Sequence, residues 1–279
     1  MTKTQPARCK STIAPNLLLT ISIVTFKPDL VELRATLDSL TSALSCFERD
    51  QIAITVVDNS PEETTSDLLQ TALKSWNYRL VHGHGNIGFG RAHNLAIQTV
   101  GQYHLVLNPD IQMEPDALRF AINFLNENPT CGLISPHAVW PDGQRQYLCK
   151  QFPAVFDLLL RGFSPSIVRE AFTKRLSRYE MREETQGDVF WNPPIVSGCF
   201  MFFRSEVLQK TGGFDPTYFL YFEDFDLSLR CKNFANTAYV PTIKIVHAGG
   251  HASRKGVWHV RQFIRSAAQF YATHGIRLI

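Results

Sequence analysis

The chain has 279 residues, the length of one large domain or two small ones. Apolar residues make up 44% and charged residues 19%, which supplies a core and excludes a disordered, collagen-like or low-complexity protein. With 28 basic and 25 acidic residues the net charge is +3, so composition gives no electrostatic argument for a nucleic-acid partner.

Short apolar runs alternate with helical patterns through the first half of the chain. The predicted strands are Leu18–Phe26, Ile52–Asp58, Tyr78–His82 and Tyr103–Leu107. The predicted helices are Leu30–Leu44, Glu62–Lys74, Gly90–Val100 and Asp116–Asn126. This alternation predicts an α/β fold with a mainly parallel central sheet that is flanked by helices.

The second half is less regular. We predict a broken helical segment over Phe152–Tyr179, with breaks at Gly162 and Pro165, then a strand over Ile195–Arg204 and a short helix over Glu206–Thr211. Further predictions are a helix at Asp224–Phe234, a strand at Ala238–Val240, an extended segment at Ile243–His247 and a final helix at Val257–His274. No repeat or linker separates the halves, which predicts two lobes of one domain.

The apolar stretch Asn16–Phe26 imitates a signal peptide, because basic residues precede it. No small-x-small cleavage site follows, and the stretch is rich in Ile, Val and Thr, which favours a buried strand. It is too short for a spanning helix. The six cysteines form no CxxC pair, which favours reduced thiols in a cytoplasmic protein.

Three polar clusters follow predicted strands: Thr25–Asp29, Asp58–Ser60 and Asn108–Asp110. Ligands of parallel sheets bind where the strands end, so these clusters are candidate site residues. Asp58 suits a ligand contact or a helix cap equally well. Asp110 is either a ligand of a hard divalent cation or part of an ordinary turn.

The segment Gly83–Gly88 matches the glycine fingerprint of dinucleotide-binding proteins, and Asp110 lies at a suitable distance from it. An oxidoreductase is therefore an alternative. Against it, the segment follows the third predicted strand, whereas the fingerprint usually opens the fold. A glycine-rich turn that leads into a helix is the simpler interpretation.

Glu223, Asp224 and Asp226 lie together after a run of aromatic residues. Burial beside aromatic surface raises the pKa of a carboxyl group, which suits a general base. Helix capping would explain one of the three acids, and an ion pair with Arg230 four residues beyond Asp226 would explain another.

His247 follows an extended segment, where it would either complete a metal site or pack in the fold. Arg254 and Lys255 follow in a glycine-rich loop and could neutralise phosphate.

The order of these motifs resembles the family 2 glycosyltransferases of the GT-A fold, particularly their bacterial rhamnosyltransferase branch. The resemblance runs from about Leu18 to about Arg254. The motifs that carry it are T-I-S-I-V-T-F (20–26), V-V-D-N-S (56–60), G-N-I-G-F-G-R-A-H-N-L-A-I (85–97), L-N-P-D-I (107–111) and V-S-G-C-F-M-F-F-R…G-G-F-D-P-T-Y-F-L-Y-F-E-D-F-D-L-S-L-R (196–230), followed by His247.

The resemblance implies a role for each matching residue. Asp224 would be the catalytic base, with Glu223 beside it, and Asp110 and His247 would bind a Mg²⁺ or Mn²⁺ ion. The residues implied for the nucleotide-sugar site are Thr25, Phe26, Asp58, Asn59, Asn86, Gly88, Arg91, Asn108, Asp110, Arg254 and Lys255. Asn108 departs from the family's D-x-D motif and removes one negative charge from the metal site.

The implied reaction is inverting, metal-dependent transfer of a sugar, with L-rhamnose from dTDP-L-rhamnose as the expected donor. The implied acceptor is a saccharide, free or linked to polyprenyl pyrophosphate, in the synthesis of bacterial surface polysaccharide of the O-antigen or lipopolysaccharide type. A catalytically dead carbohydrate-binding relative is the non-enzymatic alternative.

Basic amphipathic segments over Phe152–Tyr179 and Val257–His274 favour peripheral contact with the inner face of the cytoplasmic membrane, or simply pack on the core with solvated arginines. The expected domain organisation is a tail at 1–16 and one GT-A domain at 17–279. That domain would divide into a nucleotide-sugar half (17–130), an acceptor and catalytic half (131–255) and a C-terminal amphipathic helix (256–279).

Overall fold

A computed structural model describes residues 11–249 and 256–279. Its strands are β1 (Thr12–Ile13), β2 (Leu19–Thr25), β3 (Ile52–Asp58), β4 (Asn77–Val81), β5 (Thr99–Val100), β6 (Tyr103–Leu107), β7 (Ile111–Met113), β8 (Cys131–Val139), β9 (Arg145–Gln146), β10 (Cys149–Lys150), β11 (Phe190–Trp191), β12 (Ile195–Val196), β13 (Phe200–Arg204) and β14 (Asn236–His247). Its α-helices are α1 (Leu30–Leu44), α2 (Ser66–Leu73), α3 (Phe89–Ala96), α4 (Ala117–Glu127), α5 (Val155–Phe163), α6 (Ser166–Ala171), α7 (Thr173–Tyr179), α8 (Ser205–Thr211), α9 (Glu223–Cys231) and α10 (Val257–His274).

One central sheet organises the fold, in the order β11-β14-β8-β13-β6-β2-β3-β4. Strands β6, β2, β3 and β4 run parallel, β8 and β14 run parallel, and β13 is antiparallel to both of its neighbours. The sheet is therefore mixed, with a parallel half formed by the first part of the chain. Helices pack on it, so that β2 and β6 are buried along their whole length.

Local sequence explains helix α1 well. Asp29 caps it by accepting hydrogen bonds from the backbone N–H groups of Val31 (2.8 Å) and Glu32 (3.3 Å). Leucines at three- and four-residue spacing then bury one face against the sheet. The periodic pattern predicts the bounds of this helix correctly.

Several predicted elements need correction. The helix that begins near Gly90 ends at Ala96, because Thr99–Val100 pairs with β1 instead. Residues 11–16 therefore include a strand and are not a loose tail. Gly162 lies inside α5 and does not break it, whereas Pro165 does separate α5 from α6.

Two strand predictions need correction as well. The strand predicted at Ile195–Arg204 is interrupted between Val196 and Phe200. The two segments predicted at 238–240 and 243–247 are one strand, β14, with a bulge between Val240 and Lys244.

Candidate active site

The strand ends of β2 and β3 form a polar edge, because Thr25 and Asp58 are register partners. One carboxylate oxygen of the buried Asp58, Oδ1, accepts hydrogen bonds from Thr25 Oγ1 (2.9 Å), Ser60 N (3.0 Å) and Ser60 Oγ (2.6 Å). Asp58 Oδ2 and Asn59 Oδ1 are buried with no hydrogen-bond partner among the described residues. Two buried acceptors at a sheet edge can receive the N–H donors of a ligand. Phe26 lies half-exposed beside them and offers a flat apolar surface.

The glycine-rich loop before α3 is shaped by contact with the 214–222 segment. Gly88 has φ = 91°, and a Cβ atom there would overlap the carbonyl oxygen of Phe219. Asn86 Oδ1 accepts a hydrogen bond from Gly88 N (3.0 Å), and Asn59 Nδ2 donates to Gly88 O (3.2 Å). Arg91 donates from Nε to the carbonyl of Pro216 at 2.6 Å. The loop therefore connects the polar edge of β2 and β3 to the segment that leads into α9.

The same geometry argues against the dinucleotide interpretation of this loop. A Cβ atom at Gly83 or Gly85 would meet no atom within 4 Å. These positions need glycine for positive φ (93° and 66°) and are not packed by protein. Gly88 is required by a protein carbonyl and not by a pyrophosphate.

Asp110 and His247 face each other across β7 and β14, which pair in register at Ile111 and His247. The distance from Asp110 Oδ1 to His247 Nε2 is 3.4 Å, and both atoms are buried without a hydrogen-bond partner among the described residues. His247 Nδ1 lies 2.6 Å from Gln146 Oε1, which fixes the ring through its other nitrogen. Such an outer partner is typical of a metal-binding histidine.

The carboxylate of Asp110 and the imidazole of His247 could supply two of the ligands of a divalent cation. Burial alone would raise the pKa of Asp110, but the close approach and charge of His247 outweigh it, and the pKa is lowered. Burial alone would lower the pKa of His247, but Cys199 and Asp110 outweigh it and raise the pKa to about 10. A cation would therefore displace a proton when it binds between them. Within the described ranges no cluster of three or more His, Cys, Asp or Glu side chains could hold a metal, so the protein offers two such ligands here.

Asp224 lies in the first turn of α9 and is held by two backbone donors. Gly198 N donates to Oδ2 at 2.8 Å, and Phe225 N donates to Oδ1 at 2.9 Å. Burial and the neighbouring carboxyl group raise the pKa of Glu223, and burial raises the pKa of Asp224 against the backbone hydrogen bonds. Two acids side by side with raised pKa values share protons, which is a property of acid–base sites.

The backbone before α9 supports this placement. Tyr221 and Phe222 both adopt positive φ (71° and 66°), which is rare for aromatic residues. Consecutive left-handed residues turn the chain immediately before the first turn of α9, from which Asp224 reaches Gly198. Backbone strain of this kind is concentrated at functional sites.

The segment Ser197–Cys199 lies between β12 and β13 and contacts both Asp224 and Asn108. Gly198 N donates to Asp224, while Cys199 O accepts a hydrogen bond from Asn108 N at 2.8 Å. A Cβ atom at Gly198 would lie 3.0 Å from Asp224 Cβ, so a side chain would push α9 away. The structure thus brings Asn108 and Asp224 to adjacent residues of one segment, and Cys199 of that segment also acts on His247, although these residues are far apart in sequence. The sequence alone does not single out Gly198 or Gln146. The only signal for Gly198 is a glycine inside an apolar run, and the only signal for Gln146 is an amide side chain between two predicted elements.

Asp226 plays a structural part. It forms an ion pair with Arg230 at 2.7 Å, as predicted from their four-residue spacing, and its other oxygen lies 2.8 Å from His274 Nε2. These partners lower the pKa of Asp226 against the effect of burial. It anchors α9 to the end of α10. Arg254 and Lys255 lie outside the described residues.

Comparison with known proteins shows which family of enzymes this chain belongs to. Residues 20–212 match the model of the family "Glycosyl transferase family 2". An N-acetylglucosaminyl-diphospho-decaprenol L-rhamnosyltransferase of Mycobacterium tuberculosis is 27% identical over 236 residues, which is 78% of this chain and 73% of the relative. Rhamnosyltransferase WbbL of Escherichia coli is 26% identical over 205 residues, 66% of this chain and 72% of the relative.

Solved structures agree on the fold. GalNAc-T7 with UDP, GalNAc and Mn²⁺ superposes with a TM-score of 0.62 at 15% identity, covering 90% of this chain but only 48% of its own. A mannosyltransferase of Pyrobaculum calidifontis in complex with GDP-Man and Mn²⁺ gives a TM-score of 0.58 at 17% identity, covering 98% of this chain and 80% of its own. The protein has the GT-A fold.

The chain belongs to the family 2 glycosyltransferases. It is a glycosyltransferase, and the oxidoreductase alternative is wrong, because the family match includes the glycine loop and that loop packs on protein.

Proposed function

We propose that the protein transfers L-rhamnose from dTDP-L-rhamnose to a saccharide acceptor, with inversion and with a divalent cation, in the synthesis of bacterial surface polysaccharide. The observation that carries this proposal is the junction at Gly198 and Cys199, which binds Asp224 through Gly198 N and Asn108, two residues before Asp110, through Cys199 O. The rhamnosyltransferase names of the two relatives support the choice of sugar.

The donor nucleotide would lie on the edge formed by Thr25, Phe26, Asp58 and Asn59. A pyrimidine base presents an N–H donor, which suits the unpaired Asp58 Oδ2, and its ring could stack on Phe26. Asn86, Gly88 and Arg91 would line the sugar side through the loop described above. Arg254 and Lys255 remain predicted phosphate contacts.

Asp110 and His247 would hold Mg²⁺ or Mn²⁺, with Asn108 beside them. When bound, the cation would offset the negative charge that develops on the departing diphosphate. With one carboxylate and one imidazole from the protein, the remaining ligands would be phosphate oxygens and water. The requirement for metal and the requirement for nucleotide should therefore appear together.

Asp224 would take the proton from the acceptor hydroxyl as its oxygen attacks the anomeric carbon from the side opposite the diphosphate. One displacement inverts that centre and leaves no covalent enzyme intermediate. The two backbone N–H groups fix the Asp224 carboxylate in place, so that little reorganisation is needed. Glu223, buried beside it with one oxygen unpaired, would contact donor or acceptor.

A lipid-linked acceptor and peripheral membrane contact form part of the proposal. Large apolar side chains are exposed on α5, α6 and the end of the chain: Leu159, Ile167, Phe172, Ile276, Leu278 and Ile279. Backbone hydrogen bonds from Val155 N to Arg277 O and from Phe156 N to Leu278 O bring the chain end to α5. Basic residues surround these side chains, a combination that suits an anionic bilayer surface. No helix among the described residues is long and apolar enough to cross a membrane.

The experiment is a screen of nucleotide sugars for transfer with Mn²⁺ and with EDTA. We expect turnover with dTDP-L-rhamnose and Mn²⁺, loss of turnover in EDTA, and inversion of the anomeric centre by NMR. Asp110→Asn should lose both the turnover and the stabilisation of the fold by dTDP plus Mn²⁺. Turnover in EDTA would contradict the metal role, another preferred donor would contradict the sugar, and binding without turnover would indicate the catalytically dead alternative.

Vesicle sedimentation tests the membrane contact. We expect the protein to pellet with phosphatidylglycerol vesicles at low salt and to be released at high salt, because exposed charges are screened. Failure to pellet at low salt would contradict the contact.

A further inference from the structure

A basic cluster formed by Lys150, Arg161 and Arg182 lies near Asp224. Neither the proposed donor site nor the packing of the fold accounts for all of its positive charge. Three cations surround the carboxylate of Glu180: Lys150 Nζ at 3.6 Å, Arg161 Nε at 3.5 Å and Arg182 Nη2 at 2.7 Å. The nearby carboxylate of Asp157 is paired with Arg175 at 2.5 Å. With Lys150 protonated, three cations against one carboxylate leave the cluster an excess of two positive charges, and with Lys150 neutral the excess is one.

The path of one short segment places this cluster relative to the catalytic groups. Gln146 contacts the metal-binding candidate His247, and Leu148 O accepts a hydrogen bond from Ser197 N next to Gly198. Lys150 pairs with Ile195 in β12. The four steps along the chain from Gln146 to Lys150 span about 13 Å when extended. The segment thus runs from the Asp110–His247 pair, past Asp224, to the basic cluster.

This separation decides which anion the cluster can hold. A donor diphosphate bound between Asp110 and His247 lies at the opposite end of that segment, too far to neutralise Lys150 and Arg161. The cluster still acts on the base, because the charge of Arg161 lowers the pKa of Asp224, although burial is the largest influence and raises it. A second anion, adjacent to the acceptor side of Asp224, is the remaining candidate.

The cluster has the features of a built site. Lys150 is 5% exposed, and the neighbouring Tyr179, 2% exposed, has a hydroxyl with no hydrogen-bond partner among the described residues. Burial, and then the charge of Arg161, lower the pKa of Lys150 to about 7, so an arriving anion would stabilise its charged form. The side chains of Arg161 and Arg182 are 52% and 39% exposed and can reach a ligand.

We propose that Arg161, Arg182 and Lys150 bind the diphosphate of the acceptor, and so place its terminal sugar hydroxyl at Asp224. The inference rests on the proposed function, because it names the acceptor site of that reaction. Guanidinium groups bind phosphate oxygens through charge-assisted, often paired hydrogen bonds. Arg161 belongs to the last turn of α5, and the exposed Ile167 of α6 and Phe172 follow it in the chain, so a lipid chain leaving the diphosphate would pass toward these apolar side chains.

The first test measures binding without catalysis. Calorimetry with a short-chain alkyl diphosphate in EDTA, and with no vesicles, excludes the metal-dependent donor site. We expect Arg161→Gln and Arg182→Gln each to weaken the affinity about tenfold or more, the effect of removing one hydrogen bond to a charged group. Arg34→Gln is the matched control, because Arg34 is an exposed arginine in an ion pair on α1. Equal affinity of the wild type and the double variant R161Q/R182Q would overturn the proposal.

The second test measures selection of the acceptor. Transfer is compared between a saccharide on a short alkyl diphosphate and the same saccharide as a neutral alkyl glycoside. The ratio of kcat/KM values should favour the diphosphate in the wild type and fall toward one in R161Q/R182Q. If the wild type transfers sugar to neither acceptor while the binding result holds, the proposed reaction fails and the anion site stands.

The third test separates an acceptor diphosphate from a lipid headgroup, which carries similar chemistry. Sedimentation with phosphatidylglycerol vesicles is repeated with R161Q/R182Q. Retained vesicle binding with a lost diphosphate preference supports the acceptor site. Lost vesicle binding with an unchanged diphosphate preference would assign the cluster to headgroups and overturn the proposal.

Discussion

Replacing Asp224 with asparagine separates catalysis from folding. The amide cannot take a proton from the acceptor hydroxyl, so turnover should fall by a factor on the order of 10²–10⁴, the usual contribution of a positioned base. This corresponds to about 3–5 kcal/mol in the activation free energy. The folded state should change little in comparison. The carboxylate accepts hydrogen bonds from Gly198 N and Phe225 N, and an asparagine keeps one acceptor oxygen, so about 1 kcal/mol is lost.

The loss of that hydrogen bond is partly offset. Burial raises the pKa of Asp224, which means that its charged form is disfavoured in the folded protein. A neutral amide removes this penalty. The free energy of unfolding, measured by urea titration, should therefore stay within about 1 kcal/mol of the wild type.

Asp226→Asn is the matched control, because it removes a carboxylate two residues further along the same helix. That carboxylate binds Arg230 and His274 and is buried, so its removal should lower the free energy of unfolding by about 3 kcal/mol or more. The assays are turnover under saturating donor, donor affinity by calorimetry and urea unfolding. Turnover of Asp224→Asn within about threefold of the wild type would refute the assignment of the base, since a missing base removes at least two orders of magnitude.

Three further predictions concern pH and packing. Asp224→Asn should lower the pKa of Glu223 from about 8, because it removes the negative charge that adds to burial in raising that pKa; an unmoved Glu223 titration by NMR would contradict their coupling. Gly88→Ala should destabilise the fold at least twice as much as Gly85→Ala in urea unfolding, because both force positive φ but only the first overlaps a backbone carbonyl, and equal losses would contradict the packing argument. Burial lowers the pKa of His93, so its stabilising contribution is present above about pH 6.5 and is lost as pH falls; His93→Gln should flatten the decline in unfolding free energy between pH 6.5 and 5 by up to about 1.4 kcal/mol per pH unit, and an unchanged slope would contradict burial of a neutral ring.

Local patterning determined much of the fold of the first half. Helix α1, strand β3 and helix α10 have the predicted bounds, because their apolar residues repeat with the period of one buried face, and strand β6 has them because it is a short apolar run buried on both faces. Strand β8 escaped prediction although it is long. It contains Gly132 and Pro136, and its extended conformation depends on pairing with β13 and β14, which come much later in the chain.

In the candidate site, too, some features follow from the sequence and others depend on the tertiary structure. The residue types at 58, 110, 224 and 247 and their order along the chain were enough to indicate the family, because strand ends and helix starts present side chains at predictable edges. Their meeting depends on tertiary structure. The run Ile195–Arg204 has the composition of one strand, yet it opens at Ser197–Cys199, because Gly198 N is used by Asp224 and Cys199 O by Asn108. Hydrogen bonds between residues so distant in sequence form only when the chain is folded, and no local preference encodes them.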